Sequence, residues 1–131
     1  DDRIDGCVRL VQWNIERGYE LELVVKELKS LKADIVAVQE VDVGCIRSNS
    51  TDQVRILASE LEMQCIFVAE FNEIYDLHRR KPRDQGGGWH GNAILSKFNL
   101  AEEPVPIIHQ VQPIDWNLPC NIQPHSLAAK E

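Results

Sequence analysis

Cysteine pairs, aromatic residues, positive charge and long apolar runs are all scarce in this sequence, and each shortage removes a class of protein. The four cysteines, Cys7, Cys45, Cys65 and Cys120, lie far apart, with no Cys-x-x-Cys pair and no histidine at ligand spacing. That excludes a zinc site and a dense disulfide framework, and the four read as buried free thiols in a reducing, intracellular compartment. No apolar stretch approaches the roughly 18 residues of a membrane-spanning helix. Nothing in the opening residues resembles a signal segment, and because the chain starts at Asp1 without an initiating methionine, both ends are taken as arbitrary. Only 14 Lys and Arg stand against 21 Asp and Glu, a net charge of −7. The imbalance is local, with 8 basic and 16 acidic residues in 1–77 and 6 and 5 in the remainder. Such a field repels polyanions, so a phosphate-bearing substrate would need a bound cation or a local basic patch. Aromatics interleaved with basic residues, the mark of a nucleic-acid-binding module, are missing as well. So is the Gly-x-Ser-x-Gly elbow of a serine hydrolase.

What is present describes one globular domain: 131 residues, 44% hydrophobic and 27% charged, too few for two domains and enough for a core. With only 3 Trp, 2 Tyr and 3 Phe, Leu, Ile and Val must fill that core. Cys7–Ile15 reads as a strand running into a loop at Arg17-Gly18. Leu21, Val24, Val25, Leu28 and Leu31 repeat at helical spacing and predict an amphipathic helix over Glu20–Lys32. Asp34–Val41 has no polar face until its end, as a central strand requires. Ser50, Thr51 or Asp52 can cap a second helix carrying Val54, Leu57, Ala58 and Leu61, and Cys65–Phe71 reads as a third strand. Residues 72–91, with the basic run Arg79, Arg80, Lys81, Arg83 and the triplet Gly86–Gly88, read as a long flexible loop before a strand over Asn92–Phe98. Residues 102–131 hold five of the six prolines, one short strand at Val105–His109, and an irregular tail over 111–131.

The first strand ends in Trp13-Asn14-Ile15-Glu16 and the second in Gln39-Glu40-Val41-Asp42. If a helical crossover makes the two strands parallel neighbours, their carboxyl ends adjoin and Asn14 meets Glu40. Ligands of open α/β sheets bind at such ends, and an amide oxygen with one or two carboxylates suits Mg²⁺. The same residues have a plainer reading, with Asn14 capping a turn and Glu40 released into solvent. Glu40 follows an apolar strand and shares by alternation the face of Val36 and Val38, where an unpaired charge is costly; its partner would be a metal or an arginine, Arg17 or Arg47. A dinucleotide fold fails because its phosphate turn needs several glycines and Asn14–Glu20 offers only Gly18. Most basic runs such as 79–83 are solvated loops. His78, His90, His109 and His125 assemble no metal site, and only His90, beside Gly91-Asn92, stands near a strand of interest.

Three segments in order, Val11-Gln12-Trp13-Asn14-Ile15, Asp34-Ile35-Val36-Ala37-Val38-Gln39-Glu40-Val41-Asp42 and Gly91-Asn92-Ala93-Ile94-Leu95-Ser96-Lys97, resemble the first three motifs of the endonuclease/exonuclease/phosphatase superfamily, the DNase I-like proteins. The resemblance implies an α/β protein, the N-terminal half of a four-layer α/β/β/α sandwich with helices on one face of a sheet. It implies a metal-dependent phosphoester hydrolase using Mg²⁺, with Mn²⁺ as its substitute. Glu40 matches the metal-binding glutamate and Asn14 the asparagine that orients metal and phosphate. Glu16 stands where some members place an acidic metal partner, and Asn92, with His90 beside it, falls on the substrate side of the cleft.

The Thr-His, Gly-Asp-x-Asn and Asp-His motifs that supply the family's base and phosphate contacts do not occur in this sequence. Residues 1–131 are therefore expected to form one incomplete domain, inactive alone, since losing positioned acid–base groups costs on the order of 10²–10⁴ in rate. A sheet face without its cover is expected to promote self-association. The competing expectation is a non-catalytic interaction fragment that uses this face. The acidic balance favours a small-molecule or lipid phosphate over nucleic acid as substrate.

Overall fold

The computed structural model describes residues 6–74, 78, 81 and 85–100, which fall within one compact unit. Strand β1 (Leu10–Asn14) leads through a 3-10 turn at Glu16–Gly18 into helix α1 (Leu21–Leu31), then β2 (Ile35–Val43), a 3-10 turn at Ile46–Ser48, helix α2 (Gln53–Leu61), β3 (Gln64–Asn72) and β4 (Trp89–Ser96). The sheet order is β1-β2-β4-β3. β1 and β2 are parallel, with Leu10 opposite Ile35 and Asn14 opposite Gln39, while β4 runs antiparallel to both β2 and β3.

Both helices follow from local chemistry. Val24, Val25 and Leu28 are the buried stripe of α1, which ends where Lys32 turns left-handed. Asp52 caps α2 by accepting a hydrogen bond from the Arg55 N–H at 2.9 Å, as one of three cap candidates. These stripes and Val54 and Leu57 of α2 pack on Val36, Val38, Val41, Ala93 and Leu95, giving one core on one face of the sheet. The opposite face leaves Leu10 on β1, Ile94 on β4 and Val68 on β3 each about half exposed or more.

Several boundaries differ from the sequence expectation. β1 starts at Leu10, three residues after the expected Cys7, just past Arg9, whose carbonyl is shared by the N–H groups of Asp34 and Ile35. β2 continues to Val43, and β4 begins at Trp89, inside the expected loop. Gly86–Gly88 are a bonded strap, not a flexible loop. Gly86 accepts from Ile46, Gly87 donates to Glu73, and Gly88 accepts from Glu73; a Cβ on Gly88 would collide with the backbone of Val43, Gly44 and Cys45. Cys45 is buried as expected, but Cys7 and Cys65 are free and exposed, because Cys7 precedes the first strand and β3 is a sheet edge. Most of the basic run, the strand at Val105–His109, the tail over 111–131, Cys120, His109 and His125 lie outside the described residues. No helix among the described residues is long and apolar enough to cross a membrane.

Candidate active site

The parallel register sets the carboxyl ends of β1 and β2 side by side, and Asn14 and Glu40 meet there. Asn14 Nδ2 donates to Glu40 Oε1 at 2.7 Å. Asn14 Oδ1 accepts the Glu16 N–H at 3.0 Å, and since a backbone N–H can only donate, this bond fixes which end of the amide is oxygen. Asn14 therefore caps the turn and grips the carboxylate with one side chain; the two readings of this residue were not exclusive.

Glu40 does not share the face of Val36 and Val38, as simple alternation predicted. The register of β2 against β4 slips between Val38 and Val41, and Glu40 sits in that bulge at φ 58°. An extra residue breaks the period of two. Val41 thus takes the core side with Val36 and Val38, and Glu40 turns to the open face beside Asn14. Left-handed backbone at a residue other than glycine is strained, and such strain gathers at functional positions. Glu16 and Arg17, in the turn after β1, are left-handed as well.

Asn14, Glu16, Glu20 and Glu40, with Trp13, Tyr19 and Val24, line an open cleft of about 560 Å³. Neither expected arginine reaches Glu40. Arg17 Nη1 lies 3.4 Å from the Tyr19 hydroxyl. Arg47 is buried and forks onto Asp42, Nε to Oδ2 and Nη2 to Oδ1, both at 2.7 Å, with Nη1 on Glu73. Its planar fork matches one carboxylate, and Asp42, fully buried, is the one that needs compensation. Burial pushes the Asp42 pKa up, but the hydrogen bonds from Arg47 and His90 and the charge of Arg47 outweigh it, leaving the group below its ordinary value. Arg47 is pushed above its ordinary value, the Asp42 and Glu73 bonds overcoming burial.

His90 and Asn92 are brought to the same sheet face but to different partners. β4 is regular, and Ala93 and Leu95 face the core, so His90 and Asn92 both lie on the open side. His90 Nδ1 is 2.8 Å from Asp42 Oδ1, its ring against Phe71, and it is 6% exposed. It belongs to the buried ion network. Asn92 Nδ2 donates to Glu70 Oε1 at 2.6 Å, where β3 has its own register slip between Ala69 and Phe71. Sequence reasoning missed Asp42, Glu70, Glu73 and Gln53, and the bulge that turns Glu40 outward left no compositional trace.

Among the described residues no group of three His, Cys, Asp or Glu closes on a common point. The cleft nonetheless fits a hard divalent cation. The carboxylates of Glu16, Glu20 and Glu40 line it, and Asn14 holds Oε1 of Glu40, which leaves Oε2 for a hydrated ion; Mg²⁺ commonly binds through one or two carboxylates and keeps several waters.

Helices on one face of a mixed sheet, with an amide and a carboxylate joined at the ends of two parallel strands, define the class as a partial DNase I-like α/β fold. The chain matches the model of the Endonuclease/Exonuclease/phosphatase family over residues 11–125 and belongs to that family. No curated protein and no solved structure matches it.

Proposed function

We propose that this chain carries the metal-side half of a Mg²⁺-dependent phosphoester hydrolase, with Glu40 as the cation ligand, Asn14 as the residue that orients it, and Glu16 as an outer carboxylate. The observation that carries the reading is the Asn14–Glu40 bond at 2.7 Å, made where β2 bulges with left-handed backbone at Glu40. Asn14 holds Oε1 and so directs Oε2 toward the cleft, while its second Nδ2 hydrogen is free for a phosphoryl oxygen. When bound, Mg²⁺ polarises a phosphoryl oxygen and offsets charge that builds in the transition state. Asn92, held by Glu70, stands on the substrate side. The acidic cleft and the net charge of −7 support a small or lipid phosphate as substrate over a nucleic acid. The 131-residue chain, lacking the family's base motifs, is expected to bind the ion without turnover.

The test is a Mg²⁺ titration of the chain followed by ¹H–¹⁵N NMR. Saturable shifts should centre on Asn14, Glu16 and Glu40 and vanish in Glu40→Gln. Shifts that survive this substitution unchanged, or a chain that does not respond to Mg²⁺ at tens of millimolar, would falsify the proposal. Mg²⁺-dependent phosphodiesterase turnover by the chain alone would refute the inactivity.

A further inference from the structure

The cleft is assembled from two separate stretches, the turn after β1 and the bulged end of β2, and one buried side chain outside the cleft holds both. Gln53, in the first turn of α2, is 1% exposed. Its Oε1 accepts the Asp42 N–H at 2.9 Å, two residues past Glu40. Its Nε2 donates to the Arg17 carbonyl at 2.8 Å and lies 3.4 Å from the Gly18 carbonyl, in the turn that Asn14 caps through Glu16. Gly18 is shaped to this contact. It has φ +59°, and a Cβ there would lie 2.5 Å from Gln53 Nε2, so only glycine lets the turn close onto the amide.

We infer that Gln53 is a positioning residue for the cation cleft, setting the separation of Asn14 from Glu40. The inference rests on the function proposed above. An amide suits this task because one end accepts and the other donates, so one side chain links a strand N–H to a turn carbonyl. Asp42 adds a second restraint through Arg47, so the bulge at Glu40 is anchored by the β1 ladder on one side and by buried bonds on the other. Loosening the Gln53 bridge would let the turn, and Asn14 with it, drift from the carboxylate. Supporting groups of this kind typically change metal affinity by about 10–100-fold when removed.

The experiment uses the full chain, Mn²⁺ alone as the probe, and the Asn14 side-chain amide as the reporter, through its chemical shift without metal and its paramagnetic broadening with metal. Gln53→Met keeps the length and apolar stem but neither bond. It is expected to move the metal-free Asn14 amide resonance toward the value of a solvated asparagine and to weaken Mn²⁺ binding roughly tenfold. Leu57→Ala, a core truncation in the same helix, lowers stability but should leave both readouts at wild-type values. If Gln53→Met does not fold, Gly18→Ala, which forces the amide aside, takes its place with the same readouts. Wild-type Asn14 resonance and Mn²⁺ affinity in the Gln53 or Gly18 variant overturn the inference. If Mn²⁺ does not broaden Asn14 in the wild-type chain, the metal reading fails instead, and the metal-free shift still decides whether Gln53 positions Asn14.

Discussion

Glycine and alanine at position 40 should differ in stability with a sign opposite to that found one residue earlier. Both substitutions at Glu40 remove the carboxylate and its bond to Asn14, so their difference isolates the backbone. At φ 58° a side-chain-bearing residue is strained by about 1–2 kcal/mol, while glycine loses about 0.5–1 kcal/mol more conformational entropy than alanine on folding. The balance leaves Glu40→Gly ahead of Glu40→Ala by about 0.5–1 kcal/mol, a difference of roughly 2–4 °C in melting temperature for a domain of this size. Gln39, in regular pairing with Asn14, is the control, and there alanine should lead by about 0.5–1 kcal/mol. Urea unfolding of the four variants with a common m-value makes the comparison. Alanine equal to or above glycine at both positions would show that Glu40 carries no strain, and the argument that the bulge is kept for function would fall. Neither variant at position 40 should retain the Mg²⁺ response.

Arg47→Met should destabilise the fold by about 3–5 kcal/mol at pH 7, because it leaves the fully buried Asp42 with only His90 for compensation. The Asp42 pKa is lowered in the folded chain, so its stabilisation is present above the unfolded carboxylate value and lost as pH falls through the folded one; without Arg47 its hydrogen bonds and charge no longer oppose burial, so the deficit of the variant should shrink toward pH 3. Urea midpoints from pH 3 to 7 check this, and a deficit independent of pH would contradict it. Among the described cysteines, Cys7 and Cys65 should react at once with a thiol reagent and Cys45 only on unfolding. Burial, then the charge of Asp42, pushes Cys45 up to about 11 from 9.0. Its contribution of about 2–3 kcal/mol is therefore complete below pH 9 and lost as pH rises through about 11, which Cys45→Ala should remove from the alkaline limb of the stability profile.

Periodicity made the helices and the central strand legible, because each depends on burial of a face that the sequence itself repeats. Val24, Val25 and Leu28 sit three and four apart, and Val36 and Val38 sit two apart, so one pattern fixes each partner face. The meeting of Asn14 and Glu40 was legible for a related reason: two strands joined by a short helix are parallel neighbours, and their ends coincide. The buried ion network was not. Asp42, Arg47, Glu73 and His90 come from four separate segments, and nothing in their spacing distinguishes a guanidinium that forks onto Asp42 from one that would reach Glu40. Burial decides between them, since Asp42 is fully enclosed while Glu40 reaches the cleft.

The bulges mark where local pattern and site part company. Alternation along β2 would place Glu40 among Val36, Val38 and the helices, where a carboxylate would need a cation and could serve no ligand. One extra residue, with left-handed backbone at Glu40 itself, returns Val41 to the core and delivers the carboxylate to the open face. Glu70 on β3 needs no such turn, since it lies two residues from Val68, already on the open face opposite Asn92, and the second slip falls beside it. Both strands are bulged against the same regular strand, β4, so the register of β4 sets how far apart the two outward carboxylates stand, with Asn92 between them. The sheet thus obtains a polar row of Asn14, Glu40, Asn92 and Glu70 across all four strands without giving up a core position. Strain at Glu40 is the cost of that arrangement, and it is why glycine, which relieves the strain, and alanine, which keeps it, should part in stability at this one residue although both lose the ion-binding carboxylate.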